Sequence, residues 1–353
     1  MNLKFKDKKI TGILTVLPSK EVTFDEEMEN YNFTKEQSAK LKKIMGYGSH
    51  RIVEENICCS DLAVHGLNYL IDNGKLKKED IDAIVFVSQT PDYIMPATSF
   101  VIHGILGLGN DVYCIDINQG CAAYVIGLQE AFMLLEQESI EKVVLINAEV
   151  LSRKVSKKDR NSYPLTGDAA SITIVEKGDN STIYGNIKVD GSNCNVLMIP
   201  AGGMRLPSSA DTAVLESDQN GNFRSKDNLV MKGDAVYNFV QTKVPVMIND
   251  LISYAGCEMD SINYFMFHQP NKFMLEKLAD KMKVSYDRLP NNVVENFGNA
   301  SGVSIPTAIT YNLAKDLIDN EYMICLAGFG VGLTWSSMLL KMGKMDFCEM
   351  INY

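Results

Sequence analysis

Short, continuously apolar runs alternate along the chain with segments in which apolar residues recur at helical spacing. Residues 83–88 and 142–147 are apolar runs of the length expected for strands that are buried on both faces. Residues 60–72 have helical spacing, and Ser60 is placed to cap the first turn. Residues 122–136 and 271–282 predict two further helices. This alternation of strands and helices predicts the α/β fold class.

Three short segments of the first half of the chain recur in the second half in the same order. The offset is 180 residues for the first two pairs and 178 for the third, and the pairs are 141–148 with 321–328, 87–91 with 267–271, and 119–123 with 297–301. These matches predict two similar α/β halves, which we place at residues 1–180 and 181–353. The Gly-, Ser- and Asp-rich residues 199–230 predict a long irregular excursion, and long loops of this kind are often functional.

Composition narrows the classes of function. The 353-residue chain is 46% hydrophobic and 22% charged, and its net charge of -10 argues against a nucleic-acid partner. No run approaches the roughly 18 apolar residues of a membrane-spanning helix, so we expect no membrane partner. Eight cysteines are too few for a disulfide-stabilised secreted scaffold. Residues 1–17 do not resemble a signal peptide, and we expect a cytoplasmic protein with reduced thiols.

Cys121 is the strongest candidate for a nucleophile among the eight cysteines. It opens the predicted helix 122–136, where the helix dipole and the first backbone N–H groups favour a thiolate. Gly120 before it allows a tight turn, and the two alanines after it leave room for a substrate. Taken alone, any of the cysteines is also compatible with a small buried apolar residue. Their spacing does not fit a metal site, and we expect none.

His268 is the strongest candidate among the four histidines. It follows the apolar run 264–267, and ligands bind at the carboxyl ends of strands in α/β sheets. His65 and His103 fall within apolar or helical patterns and are expected to be structural. Asn299 lies in a Gly-Asn-Ala-Ser-Gly segment, where it is compatible with a turn residue as well as with a site residue.

The chain as a whole resembles the β-ketoacyl-ACP synthase III family of the thiolase superfamily. The motifs that carry the resemblance lie in the family's order, and they are Gln-Thr-Pro-Asp-Tyr-Ile-Met-Pro-Ala (89–97), Asn-Gln-Gly-Cys-Ala-Ala-Tyr (118–124), His-Gln-Pro-Asn (268–271), Gly-Asn-Ala-Ser-Gly-Val-Ser-Ile-Pro (298–306) and Gly-Phe-Gly-Val-Gly-Leu-Thr-Trp (328–335). The resemblance implies a thiolase-like fold in which two βαβαβαββ halves form a five-layer αβαβα sandwich. The elongating synthases of the superfamily have a second histidine where this chain has Asn299, and in this respect the chain resembles the synthase III family. A thiolase would carry a second cysteine where this chain has Gly328.

The resemblance implies an acyltransferase that makes a 3-oxoacyl-ACP at the start of fatty acid biosynthesis or in a related pathway. A primer thioester would acylate Cys121, and His268 and Asn299 would then promote decarboxylative condensation with malonyl-ACP. The backbone N–H groups of Cys121 and Val331 would hold the oxyanion. Val331 lies in the C-terminal glycine loop, which also contains Phe329. No metal or cofactor is implied beyond the acyl-CoA and acyl-carrier-protein thioesters that serve as substrates. The implied partners are a second copy of the chain, in a homodimer, and an acyl carrier protein.

The resemblance also indicates substrate-binding positions, and some of them depart from the family pattern. The candidates are Asn271, Lys272, Met95, Arg160 and Asp234. Lys40 and Ile44 stand where the family has the aromatic residue and the arginine that clamp the coenzyme A adenine, which favours a carrier-protein donor or an unusual primer. Met95 stands where the family lines the acyl pocket across its dimer interface, and a flexible methionine there would admit a longer chain. The basic residues that could receive an acidic carrier protein are Arg153, Lys154, Lys157, Lys158 and Arg160, with Lys272, Lys277, Lys281 and Lys283.

Two other functions are compatible with the sequence. An acyltransferase of the same fold would keep the acyl-Cys121 step and pass the acyl group to an amine or hydroxyl in secondary metabolite or polysaccharide synthesis. Release of carbon dioxide distinguishes condensation from such a transfer. A non-catalytic partner subunit is the second alternative, although such subunits usually lack the nucleophile that this chain retains.

Overall fold

Strands and helices alternate through the chain as its hydrophobic pattern predicts. The computed structural model describes residues 1–353, apart from the side chains of residues 179 and 180. The strands are β1 (Asn2–Leu17), β2 (Glu21–Thr23), β3 (Ser49–Arg51), β4 (Ala83–Val87), β5 (Tyr113–Ile117), β6 (Lys142–Glu149), β7 (Ala169–Val189), β8 (Leu197–Met198), β9 (Glu216–Ser217), β10 (Phe223–Arg224), β11 (Val230–Met231), β12 (Tyr264–Phe267), β13 (Glu321–Gly330), β14 (Thr334–Gly343) and β15 (Phe347–Asn352). The α-helices are α1 (Phe24–Glu27), α2 (Lys35–Met45), α3 (Cys59–Asp72), α4 (Thr98–Leu106), α5 (Ala123–Leu134), α6 (Gly233–Ala255), α7 (Lys272–Met282), α8 (Val293–Phe297) and α9 (Ser304–Asp319). Over the described residues, no helix combines the length and the apolar character that crossing a membrane requires.

Two long strands join both halves of the chain into one sheet. β1 and β7 run antiparallel along most of their lengths. The first part of β7 pairs with β6 of the first half, and its last part pairs with β14 of the second half. The predicted boundary between residues 180 and 181 therefore falls inside β7, and the two halves share this strand.

The sheet has the order β12-β13-β14-β7-β6-β4-β5, and β1 pairs with both β7 and β15. β4 is parallel to its neighbours β5 and β6, and β12 is parallel to β13. Every residue of β4 is buried, because helices cover both faces of a parallel sheet. The apolar runs predicted at residues 83–88 and 142–147 are thus the buried strands β4 and β6.

Helices form three layers, one on the outer face of each half of the sheet and one between the two halves. α3 and α4 pack on the outer face of the first half, and α6 and α7 cover the outer face of the second half. α5 and α9 lie between the halves and share one apolar core with strands of both. These contacts build the expected αβαβα sandwich. α5 is apolar around most of its circumference because most of its residues are buried, although Met133 is exposed.

The predicted helices agree with α3, α5 and α7 to within about two residues, but the cap predicted for α3 is wrong. Ser60 lies inside the first turn, and the residue before the helix is Cys58. The Cys58 N–H donates a hydrogen bond to the Asp61 carboxylate at 2.7 Å, so a side chain three residues along caps this end. The excursion 199–230 is irregular as predicted, with strands of only two residues.

Gly302 lies where the two halves touch behind the start of α5. A Cβ atom at this position would lie 2.5 Å from the Ala123 Cβ and 3.0 Å from the Gly120 carbonyl oxygen. Both distances are shorter than ordinary carbon contacts, and one neighbour is backbone that does not move freely. The meeting of the halves therefore requires a residue without a side chain at Gly302.

We expect Gly302→Ala to lower the free energy of unfolding by about 1–3 kcal/mol, because the added methyl group overpacks this contact. Gly104→Ala is the matched control, since Gly104 is exposed in α4 and has no atom within 4 Å of its Cβ position. The control should raise stability by roughly 0.5–1 kcal/mol through helix propensity. Urea unfolding followed by circular dichroism measures both values, and a Gly302→Ala variant as stable as wild type would contradict the packing argument.

Candidate active site

A cavity of about 1160 Å³ lies where the carboxyl ends of the parallel strands of both halves meet. The segments at the ends of β4, β5 and β6 line it from the first half, and those at the ends of β12 and β13 line it from the second. The excursion 199–230 covers another side through Ile199, Gly202 and Leu229. Because ligands bind at this edge of α/β sheets, the cavity is the candidate active site.

Cys121 lies in the loop between β5 and α5, at the cavity wall. The Ser301 hydroxyl donates a hydrogen bond to the Cys121 Sγ across 4.0 Å. A Cβ atom at Gly330 would lie 2.6 Å from the same sulfur, so the C-terminal glycine loop packs directly against the thiol. Residues that are far from Cys121 in the sequence therefore lie next to its sulfur atom.

Burial raises the pKa of the Cys121 thiol above its ordinary value. Hydrogen bonds from the Val331 N–H, the Ser301 hydroxyl and the Cys121 N–H act in the opposite direction, but burial is the larger effect. Burial therefore opposes the thiolate that the sequence predicts at the start of a helix. α5 begins only at Ala123, and the influence of the helix dipole falls off quickly beyond the first turn.

The glycine loop brings its backbone against the nucleophile loop at two points. Besides Gly330, a Cβ atom at Gly328 would lie 2.5 Å from the Ala122 Cα. The structure thus places the N–H of Val331 beside the sulfur of Cys121, as expected for an oxyanion donor. This close approach is possible because the loop alternates glycine with larger residues.

Phe329 and Gly120 have structural contacts that their motifs did not indicate. The Phe329 ring is buried and packs edge-on against the His268 ring, with centroids 5.6 Å apart. A Cβ atom at Gly120 would lie 2.2 Å from the Gln89 Oε1 and 2.7 Å from the Val331 Cγ1. Gly120 therefore permits close packing around the nucleophile, and its φ is not in the left-handed region.

His268 is buried directly after β12, where the sequence predicts it. Its Nδ1 lies 2.8 Å from the Ser304 Oγ, and the Gln269 N–H donates to the same hydroxyl at 3.2 Å. The Ser304 hydroxyl can accept from Gln269 and still donate its own hydrogen to Nδ1, and in this arrangement the proton of a neutral ring lies on Nε2. Burial lowers the pKa of His268 to about 4, so the ring is neutral at physiological pH.

Asn299 is held by backbone and side-chain hydrogen bonds in a short parallel bridge with Thr166. Its N–H donates to the Leu165 carbonyl at 2.6 Å, and its carbonyl accepts from the Gly167 N–H at 3.1 Å. Its side-chain Oδ1 accepts from the Ser301 N–H at 2.8 Å. Because this bond holds the amide oxygen, the Nδ2 hydrogens are the polar groups that Asn299 offers to the cavity.

The fold thus brings Cys121, His268 and Asn299 to one cavity. Two further residues were missed as functional, Ser301 beside the sulfur and Ser304 beside the imidazole. Both lie within the motif 298–306, so the motif located them near the site. Only the tertiary structure shows which hydroxyl reaches which catalytic candidate.

The predicted substrate-binding residues separate into two groups. Arg160, Asn271 and Asp234 line the cavity. Lys272 and Met95 are not among the residues that line it. Met95 is 81% exposed on a surface loop before α4.

Asn271 and Lys272 begin α7 and have different surroundings. The Asn271 Oδ1 accepts from the Met274 N–H at 2.8 Å, so this side chain caps the helix as well as lining the cavity. The Lys272 Nζ lies 3.6 Å from the Glu295 Oε2 in a partly exposed ion pair. The lysine charge is therefore directed to α8.

Basic side chains outnumber acidic ones in the cavity lining. Lys154, Arg160, Arg224 and Lys232 line the cavity, against Asp218 and Asp234. The Arg160 guanidinium lies 4.1 Å from the centroid of the Phe33 ring. Arg224 is paired with Asp159 at 3.1 Å, so Lys154, Arg160 and Lys232 carry most of the positive field that an anionic substrate would meet.

Among the residues that the structure describes, no group of three or more His, Cys, Asp or Glu side chains is placed to hold a metal ion. The site is instead built from one thiol, one neutral imidazole, one amide and several backbone N–H groups. This donor set suits the stabilisation of an oxyanion rather than the binding of a cation.

Comparisons with known proteins agree with this geometry. Residues 115–191 match the family model for 3-oxoacyl-[acyl-carrier-protein] synthase III, and residues 252–342 match the model for its C-terminal part. The chain is 30% identical over 345 residues to a putative 3-oxoacyl-[acyl-carrier-protein] synthase 3 of Campylobacter jejuni, with 97% of this chain and 96% of the relative covered. It is 31% identical to the β-ketoacyl-[acyl-carrier-protein] synthase III of Fusobacterium nucleatum, over 84% of this chain and 88% of the relative.

Solved structures show the same similarity. A crystal structure of a 3-oxoacyl-(acyl-carrier protein) synthase from Burkholderia xenovorans has a TM-score of 0.92 and 30% identity, and the match covers 100% of this chain and 99% of that one. A synthase III from Pseudomonas aeruginosa has a TM-score of 0.80 at 22% identity, which shows the fold. The expected α/β thiolase-like fold is confirmed. The protein is a condensing enzyme, and the chain belongs to the 3-oxoacyl-[acyl-carrier-protein] synthase III family.

Proposed function

We propose that the protein transfers an acyl group from a primer thioester to Cys121 and then condenses it with malonyl-ACP to give a 3-oxoacyl-ACP. The observation that supports this most directly is the common cavity of Cys121, His268 and Asn299. The nucleophile lies in the predicted first half, and the two hydrogen-bond donors lie in the second. The cavity therefore combines the nucleophile of one half with hydrogen-bond donors of the other.

In the first step, the Cys121 sulfur attacks the thioester carbonyl carbon. The new S–C bond forms, the bond to the departing thiol breaks, and the thiol proton ends on that leaving group. The N–H groups of Val331 and Cys121, which already face the sulfur, would stabilise the oxyanion. These donors would act as negative charge develops on the carbonyl oxygen, in a site where burial raises the pKa of the thiol.

In the second step, the malonyl thioester carbonyl accepts hydrogen bonds from the His268 Nε2–H and the Asn299 Nδ2–H. Loss of carbon dioxide leaves an enolate on this oxygen, and its carbon attacks the acyl-Cys121 carbonyl. The C–C bond forms, the C–S bond breaks, and the released thiolate takes a proton from solvent. A neutral imidazole suits this step, because it donates a hydrogen bond without presenting a charge that must be desolvated.

The basic side chains of the cavity support a substrate that is a phosphate-bearing thioester, on either a carrier protein or coenzyme A. Lys154, Arg160 and Lys232 line the cavity. The positions that clamp an adenine in the family are Lys40 and Ile44 here, which favours an acyl carrier protein as partner and donor. Of the predicted basic cluster, Arg153 donates to the Glu54 carbonyl at 3.0 Å and serves the fold.

An exposed apolar surface supports the proposed homodimer. β5 is the edge strand of the sheet, and unpaired edges are sites of association. The exposed apolar side chains on and near this edge are Tyr93, Ile94, Met95, Phe100, Ile105 and Tyr113. A second copy covering this surface would bring its Met95 near the cavity of the first, as the resemblance implies.

The proposed chemistry requires a reduced cysteine and thioester substrates. Cys121 must remain a free thiol, which a reducing compartment maintains, and we therefore propose a cytoplasmic location. The two steps balance without a redox partner or a metal. Acyl-CoA and acyl-carrier-protein thioesters are the substrates that the proposal requires.

One observation favours a second candidate, acyl transfer to an amine or hydroxyl. The cavity is about 1160 Å³, and the excursion 199–230 contributes several of its lining residues. This leaves room for an acceptor larger than a malonyl group. A product formed without carbon dioxide would identify this alternative.

We expect intact-protein mass spectrometry to show an acyl adduct on wild type after incubation with a suitable member of a panel of acyl-CoA and acyl-ACP thioesters. Cys121→Ala should show no adduct, because the nucleophile is absent. Cys194→Ala is the matched control, since Cys194 is exposed and lies outside the cavity lining, and it should be acylated as wild type is. An adduct that persists in Cys121→Ala would contradict the assignment.

Asn299→Ala and His268→Ala should separate the two steps. We expect acylation of Cys121 to continue and formation of 3-oxoacyl-ACP to fall by about 100-fold or more, because each variant loses an oxyanion donor. Radiolabelled malonyl-ACP gives the carbon dioxide release, and mass spectrometry gives the acylation. If carbon dioxide release is unchanged in both variants, the enolate role is wrong.

Wild-type stability should fall as the pH is lowered from about 6.5 to about 4. His268 has a folded pKa of about 4 against an ordinary value of 6.5, so the unfolded state binds more protons in this window. The loss attributable to this residue is at most about 3 kcal/mol. Urea unfolding at a series of pH values should show a shallower decline for His268→Gln than for wild type, and parallel curves would contradict a neutral buried His268.

A further inference from the structure

A second buried histidine lies behind the cavity wall, outside the groups used above. His50 is in β3 and is almost completely buried. Its Nε2 lies 3.1 Å from the Glu27 Oε1, and its Nδ1 lies 2.5 Å from the Thr166 carbonyl oxygen. The glutamate belongs to α1, so the imidazole connects an N-terminal helix to the segment that precedes β7.

The hydrogen-bond partners of His50 determine where its protons are. A carbonyl oxygen only accepts, so Nδ1 carries a hydrogen toward Thr166. Nε2 faces the Glu27 carboxyl group, and one proton must lie between these two atoms for them to bond. The pair is therefore either an imidazolium with a carboxylate or a neutral ring with a carboxylic acid. In both forms the Thr166 carbonyl is held by the ring.

Other titratable groups around His50 agree with a retained proton. Tyr163 packs edge-on against the ring at 5.4 Å, and the Tyr31 hydroxyl donates to the Glu27 Oε2 at 3.5 Å. Asp168 is nearby, and its carboxylate accepts from the N–H groups of Val53 and Ser152. Burial lowers the pKa of His50, but Glu27, the Thr166 carbonyl and Asp168 together raise it above its ordinary value.

The Thr166 segment in turn holds the backbone of Asn299. Thr166 and Asn299 form a parallel bridge, with backbone hydrogen bonds on either side of Thr166 at Leu165 and Gly167. His50 also touches the residue before Asn299 directly. A Cβ atom at Gly298, whose φ is +79°, would lie 2.7 Å from the His50 Cβ. The histidine is thus packed against both strands of the bridge.

We propose that His50 and Glu27 are positioning residues for the condensation step, which hold the Thr166 segment and through it the amide of Asn299 against the cavity. This inference rests on the proposed function of Asn299. Neither residue is among those that line the cavity, so they act through the bridge and not on substrate. An amide displaced by about 1 Å from a developing oxyanion loses much of its effect on the rate.

The location of the pair predicts an effect on one step only. Cys121 lies on the loop between β5 and α5, and its oxyanion donor comes from the loop after β13. His50 and Glu27 contact neither loop through the hydrogen bonds described above. Acylation of Cys121 should therefore be insensitive to the pair, whereas decarboxylation at Asn299 should depend on it.

The test measures both steps on the full-length protein with the acyl donor that labels wild type and with malonyl-ACP. We expect His50→Ala and Glu27→Ala to be acylated within about twofold of wild type, and to release carbon dioxide about 10- to 100-fold more slowly. The double variant should be no slower than the slower single variant, because both substitutions break one unit. His65→Ala is the control, since His65 in α3 bonds the Asn352 carbonyl at 3.1 Å, and it should match wild type in both steps.

The Glu27→Gln variant distinguishes a role in positioning the Thr166 segment from a role in the stability of the folded protein alone. Its amide N–H group can donate to Nε2 while Nδ1 keeps its hydrogen on Thr166, so the geometry survives without the charge. We expect this variant to release carbon dioxide within a few-fold of wild type, which also keeps the test valid if the alanine variants do not fold. Any of three results would overturn the proposal. The alanine variants could slow acylation and decarboxylation equally, or they could fold and release carbon dioxide at the wild-type rate. Glu27→Gln could also be as slow as Glu27→Ala. A wild type that shows neither step would instead contradict the proposed function.

Discussion

The site depends on how closely the backbones of the two halves approach each other around one sulfur atom. Hypothetical Cβ atoms at Gly330, Gly328 and Gly302 would lie 2.5–2.6 Å from atoms of the nucleophile loop or of the start of α5. At such distances, no side chain fits between the glycine loop and the cysteine. The consequence is that the glycine loop presents its backbone to the thiol, and the Ser301 hydroxyl approaches the same sulfur. The five-layer packing of α5 and α9 between the halves of the sheet makes this approach rigid.

Burial then sets the electrostatics of the site. It raises the pKa of the Cys121 thiol and lowers that of the His268 imidazole, because both charged forms lose hydration. The free site is therefore neutral, with a thiol, an imidazole and an amide. Such a site stabilises charge as it develops on a substrate oxygen, and it does not need to neutralise a standing charge of its own. The His50–Glu27 pair is separated from the cavity by the Thr166 segment.

The sequence predicts those features that depend on interactions between residues near each other in the chain. β4, β6, α3, α5 and α7 were predictable, because local hydrophobic periodicity specifies them. The predicted Ser60 cap is wrong because the Asp61 carboxylate caps the same helix end. Burial of Cys121 opposes the predicted thiolate, and no local pattern reports that burial. Lys272 pairs with Glu295 and does not line the cavity, whereas the role predicted for Met95, across a dimer interface, stays a prediction. The contacts of Ser301, Ser304 and His50 join segments distant in sequence, and no local pattern reports them.

The sequence by itself determined the fold class, the repeat of two halves and the positions of Cys121, His268 and Asn299. These depend on periodicity, on turn residues and on motifs in which neighbouring residues lie within a few positions of one another. The tertiary structure decided the burial of Cys121 and His268, the direction of the Asn299 amide and the sharing of β7 between the halves. Desolvation and hydrogen bonding depend on which atoms surround a group in space, and here those atoms come from opposite ends of the chain. A hydrophobic pattern cannot encode such distances, because they exist only after the two halves have packed.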